Sequence, residues 1–141
     1  MEIERILVAA RGSGADQTAV ELAGKISRKS KAKIYVVYVI KVNRSLPVDA
    51  IIEPEMNKAE QVLMEAEEYA QENDLEVETE IIQARDAGPA IIEVARQRNV
   101  DIIVMGMIYK KRFGGFTMGT AIPYVLKEAP CRVLVCREPK A

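Results

Sequence analysis

Residues 100–106, Val100-Asp-Ile-Ile-Val-Met105-Gly106, form an apolar run that stops on glycine. Downstream, the pair Gly119-Thr120 opens a short helical segment that leads into a second apolar run, Val133-Leu-Val-Cys136. Continuous apolar runs of this length read as parallel strands covered on both faces. A strand that feeds a glycine-bearing loop and then a helix start presents backbone N–H groups where an anion can sit.

The same alternation extends back to the N-terminus. Ile3 to Ala10 is a mostly apolar run closed by Arg11-Gly-Ser-Gly14, hence a buried strand and a tight turn. Ala19, Val20, Leu22, Ala23 and Ile26 then recur at helical spacing from Ala15 to about Lys29, with Asp16 near the start, where the helix dipole favours an anion. Lys33 to Ile40 is rich in β-branched and aromatic residues and reads as the second strand. Lys41 to Glu55, with Asn43, Pro47 and Pro54 and no clear period, reads as a loop.

Met56 to Asn73, dense in Ala, Glu, Leu and Met, is the clearest helix. Leu75 to Ile82 alternates apolar and acidic residues at first, which predicts a strand toward one edge with a face to water. A helix begins near Ala87-Gly-Pro89, and Val100 to Met105 is the next strand. Thr120 is a candidate N-cap for a helix reaching about Lys127, with Pro123 in its first turn, and Arg132 to Cys136 closes the sheet. The order β-α-β-α-β-α-β-α-β predicts an α/β three-layer sandwich: one domain over residues 1–141, with an open five-stranded parallel sheet and helices on both faces.

Composition narrows the function. A net charge of -1 on 141 residues gives no general pull toward nucleic acid. No apolar run reaches the roughly 18 residues of a spanning helix, and Met1-Glu-Ile-Glu-Arg5 lacks the pattern of a secretory signal, so no membrane insertion and a cytoplasmic location are expected. The chain has no histidine, which removes the commonest general base and both Ser-His-Asp and Cys-His catalysis. Cys131 and Cys136 have neither CxxC spacing nor histidine beside them, so no metal is expected, and they read as reduced thiols.

Ile6-Leu-Val at the start, VDIIVMG before the loop, Gly119-Thr at the last helix and APCRVLVCRE at the end agree in order and spacing. In these segments the chain resembles the universal stress protein family over nearly its whole length. The resemblance implies a fold related to the adenine nucleotide alpha hydrolases and electron-transfer flavoproteins, homodimers joined through the C-terminal strand, and a non-enzymatic stress-response or regulatory role with a protein partner that the chain does not identify. It also implies ATP or another adenine nucleotide as ligand in many members; flavin is not expected, because no Ser-Gly-Gly phosphate loop follows the first strand. Carried onto this chain, the nucleotide-binding positions are Ala10, Arg11, Val39, Gly106, Tyr109, Gly119 and Thr120.

Two of these depart from the ATP-binding pattern. Tyr109 stands where the second loop glycine is usual, adding bulk and penalising φ > 0. Arg11 stands where an aspartate usually contacts the adenine, and a guanidinium donates where a carboxylate accepts. Arg11 can bind a phosphate or carboxylate, pair with Asp16 or Asp86, or face solvent. Thr120 can cap its helix or touch phosphate, and Val39 matches a main-chain contact to the base. Lys110, Lys111 and Arg112, followed by Phe113, Gly114 and Gly115, read either as a solvated loop tip or as a polyphosphate contact. Arg85 and Asp86 follow the third strand at the same end of the sheet, a placement that allows Arg11 and Arg85 to converge with the loop basics into an anion pocket. The alternative function is an interaction module that has lost nucleotide binding, and a slow ATP hydrolase is the enzymatic alternative.

Overall fold

The computed structural model describes residues 2–108, 111–112, 115–116 and 119–138. Its elements are β1 (Arg5–Ala10), α1 (Asp16–Ser30), β2 (Lys33–Lys41), α2 (Glu53–Glu72), β3 (Val77–Ala84) and α3 (Ala87–Gln97), followed by β4 (Ile102–Met107), β5 (Lys111–Arg112), β6 (Gly115–Phe116), α4 (Ala121–Glu128) and β7 (Arg132–Arg137). Five strands form one parallel sheet in the order β3-β2-β1-β4-β7, and β5 and β6 form a small antiparallel pair. This is the five-stranded α/β arrangement that the alternating pattern predicts.

The period of two in β1 divides the core. Ile6, Val8 and Ala10 pack with Ala19, Val20 and Ala23 of α1 and Ala59, Leu63 and Ala66 of α2. Leu7 and Ala9 face the other way, toward Ile91, Ile92 and Ala95 of α3 and Ile122 and Val125 of α4. Burying an Ile, Leu or Val side chain is worth about 1.5–3 kcal/mol, so β1, with every residue from Ile6 to Ala10 fully buried, is held by packing on both faces. β3 is an edge strand, as its alternating acids predict. Along it Lys33 bonds Glu78 at 2.9 Å and Arg98 reaches Glu78 and Glu80 at 3.2 and 3.5 Å, while both cations lie over the Tyr35 ring.

Three boundaries differ from the sequence expectation. α2 begins at Glu53, so Pro54 lies in its first turn, where a missing N–H costs nothing. β3 runs from Val77 to Ala84, in register with Ile34 to Lys41 of β2. β4 continues through Gly106 to Met107 because β7 supplies partners, Gly106 opposite Cys136 and Met107 opposite Arg137. The segment between β2 and α2 is tied to the sheet edge: Gln83 Nε2 donates to the carbonyls of Val48 and Ala50, at 3.0 and 2.6 Å. At the opposite end of the sheet Asp101 accepts from the N–H groups of Glu4 and Arg5, at 2.8 and 3.0 Å. Those bonds hold its carboxyl below the ordinary 3.8.

Candidate functional site

The β1–β4 ladder ends at Val8 opposite Val104, although β1 continues to Ala10 and β4 to Met107. From β1 the chain crosses to β2 on one side, whereas β4 lies on the other, so the carboxyl ends of β1 and β4 form the topological switch point of the sheet, where the crevice of an open α/β sheet lies. Open α/β sheets bind ligands at such switch points. β2 runs three residues past its last β1 partner, Tyr38 opposite Ala10, which leaves the backbone of Val39, Ile40 and Lys41 beside the mouth without a β1 strand. The Val39 side chain is core, packed on the α3 and α4 side.

Gly106 has a structural duty. A Cβ on it would overlap the Ala15 carbonyl oxygen and stand 2.8 Å from the Ala15 carbonyl carbon, so the glycine lets the start of α1 sit directly on β4. Gly119 is different. It adopts φ +72 in front of α4, and a Cβ built there meets nothing within 4 Å, so the backbone conformation, not crowding, calls for glycine. Thr120 is the N-cap residue of α4, as the sequence predicts, but its hydroxyl makes no capping bond, and both residues are exposed. Tyr109, Lys110, Phe113 and Gly114 lie outside the described residues, as do the side chains of Lys111 and Arg112.

The β1–α1 turn is occupied by the protein itself. Asp16, only 4% exposed, accepts from the N–H of Arg11 at 3.2 Å, the N–H of Gly12 at 2.7 Å and the Ser13 hydroxyl at 3.4 Å. Its carboxylate thereby takes the place that an external anion would hold at this turn. The Arg11 guanidinium folds across the crevice, with Nη2 donating to the Gly106 carbonyl at 3.5 Å and Nη1 buried without a hydrogen-bond partner. Burial lowers the Arg11 pKa, and the Asp16 charge only partly opposes it.

Arg85 does not join Arg11. Its Nη1 donates to the carbonyls of Asn43 and Leu46, both at 2.7 Å, and fastens the β2–α2 segment instead. Asp86 lies 3.9 Å from Arg44 at the surface and makes no bridge to Arg11. Among the described residues the Arg11 guanidinium forms no ion pair with Asp16 either: the contact between the two runs through the Arg11 main-chain N–H.

Ser13, Tyr38 and Lys58 also reach the mouth, and the sequence reading did not assign them to it. Ser13 Oγ accepts from the Ala15 N–H at 3.3 Å and lies 3.5 Å from the Gly106 carbonyl. Lys58 Nζ donates to the Gly12 carbonyl at 3.3 Å. Burial first, then the charges of Asp16 and Glu55, pushes the Tyr38 phenol up, so it remains protonated. Lys58 carried a signal in the sequence, being the single basic residue of α2. Among the described residues no group of three or more Cys, Asp or Glu is arranged to hold a metal ion. None of the described helices is long and apolar enough to cross a membrane.

The family profile described as the Universal stress protein family matches residues 2–137. A universal stress protein of Methanocaldococcus jannaschii is 28% identical over 143 aligned positions, covering 97% of this chain and 84% of the relative. The universal stress protein of Archaeoglobus fulgidus solved in complex with dAMP superposes with a TM-score of 0.72 at 20% identity, over 96% of this chain and 98% of that one. A universal stress protein solved in complex with cAMP gives a TM-score of 0.73 at 20% identity, over 97% and 98% of the two chains. These likenesses establish the shared fold, and the profile spans every strand of the sheet. The chain belongs to the universal stress protein family.

Proposed function

We propose that this protein is a non-enzymatic regulatory member of the family that binds an adenine nucleotide, weakly or in a modified pose, at the mouth between β1, β2 and β4. Gly119 carries the reading: it adopts φ +72 at the positive end of α4, where a phosphate is favoured. The free backbone edge of Val39 to Lys41 supplies main-chain groups for a base, independent of side-chain identity. Relatives solved with dAMP and cAMP support adenine as the base. Calorimetric titration with ATP, AMP and cAMP tests the proposal, and heat for none of them would contradict it.

A second reading, an interaction module without nucleotide, is favoured by one observation: Arg11 and Asp16 fill the crevice and the turn with the protein's own groups. Under that reading the wild type binds nothing, and Arg11→Asp combined with Tyr109→Gly gains nucleotide affinity.

The protein further acts as a homodimer joined along β7, toward an unidentified protein partner. β7 is an edge strand whose Val133 to Cys136 are only half-buried in the single chain, and such an edge is a site for strand pairing. Sedimentation velocity on the wild type and on Leu134→Lys tests this, with circular dichroism to verify folding. A folded variant that sediments as the wild-type dimer would argue against pairing at β7.

A further inference from the structure

Other arginine side chains have close hydrogen-bond or ionic partners, Arg44 a carboxylate at 3.9 Å. Arg85 reaches two carbonyls, Arg98 two carboxylates, Arg5 the Asn99 carbonyl and Arg28 the Asn73 amide oxygen. Arg11 is held more weakly than these. Its one acceptor is a carbonyl at the limit of hydrogen-bond distance, and its Nη1 is shut off from water with nothing to donate to. Among the described residues no carboxylate comes within 4.0 Å of this guanidinium, since all four such bridges involve other cations. The neighbouring Asp16 oxygens are already engaged by the Arg11 and Gly12 N–H groups and Ser13.

A buried guanidinium without an anion keeps its desolvation cost uncompensated, so an apolar side chain of similar length in its place is expected to be no less stable. At the same turn the exposed Lys58 donates to the Gly12 carbonyl. Two cations therefore reach one turn, and among the described residues no carboxylate bridges to either; a doubly charged phosphoryl group suits such a pair better than a singly charged carboxylate.

We propose that Arg11 is both the stopper of the β1–β4 crevice and its phosphate ligand: folded inward in the free protein, it turns outward onto the phosphoryl group of an arriving ligand and thereby opens the crevice. This rests on the mouth being the ligand site and adds which residue receives the anion and how the site opens. The shielding of Nη1 requires the movement, because a ligand cannot reach that nitrogen in the folded-in position. The hydrogen bond given up on leaving the inward position is the long one to Gly106.

The test uses inorganic pyrophosphate and adenosine as separate probes on the full chain, wild type, Arg11→Met and Arg11→Lys. Pyrophosphate is expected to raise the melting temperature of the wild type and of Arg11→Lys, while Arg11→Met binds it at least tenfold more weakly. Without ligand, Arg11→Met is expected to melt at or above the wild-type temperature. Equal pyrophosphate binding by Arg11→Met, or an unliganded Arg11→Met that is less stable than the wild type or fails to fold, would overturn the inference. Adenosine binding shared by wild type and Arg11→Met, without any pyrophosphate response, would overturn it while leaving nucleotide binding intact. Pyrophosphate binding through Arg11 with no response to any adenine compound would support it and remove the nucleotide reading instead.

Discussion

Replacing Gly106 by alanine tests how the mouth is built. The new methyl group would overlap the Ala15 carbonyl oxygen, with the carbonyl carbon at 2.8 Å and the Ala15 Cβ at 3.0 Å. Most of that obstruction is backbone at the entry to α1, so no side-chain rotation relieves it, and α1 or β4 must shift. Overpacking of a well-filled interior typically costs about 1–3 kcal/mol, and an immovable neighbour puts this case at about 2–3. For a domain of this size 1 kcal/mol corresponds to about 3 °C, so the melting temperature should fall by roughly 6–9 °C. Gly119→Ala is the control: it meets no atom within 4 Å and suffers only the strain of φ +72, about 1 kcal/mol. Thermal unfolding followed by far-ultraviolet circular dichroism measures both. A Gly106→Ala protein melting within 1–2 °C of wild type, on the same scale, would refute the seating of α1 on β4.

Two further outcomes follow from individual contacts. Asp101 is held below its ordinary pKa by two backbone N–H groups, so its contribution is present above the unfolded value and lost as pH falls through the lower folded value. The stability advantage of wild type over Asp101→Asn in urea titrations should be present at neutral pH and vanish in acid below 3.8, and a pH-independent difference would contradict the assignment. Arg85→Ala should raise amide exchange within residues 43–52, because it frees two carbonyls there, while nucleotide titrations stay as in wild type. A selective loss of ligand affinity would return Arg85 to the mouth.

The layers of this fold are legible in the sequence because burial on two faces imposes continuous apolar strands, and because the helices show their periods. β3 declares its edge position through Glu76, Glu78 and Glu80. The mouth is only partly legible. Gly119-Thr120 marks the α4 start correctly, since a positive φ before a helix leaves a local signature. Gly106 carries the same letter for a different reason, the approach of Ala15, which is remote in sequence. The inward fold of Arg11 and the diversion of Arg85 depend on which acceptors lie within 3.5 Å after packing. Those are non-local geometries that spacing alone does not encode.

Calorimetric titration of the full wild-type chain with AMP, cAMP and ATP addresses the mouth most directly. The expected result is saturable heat for at least one of them, stronger at low salt and at one site per chain. Flat titrations for all three, together with tight binding by Arg11→Asp/Tyr109→Gly, would mean that the crevice is closed for good by its own arginine.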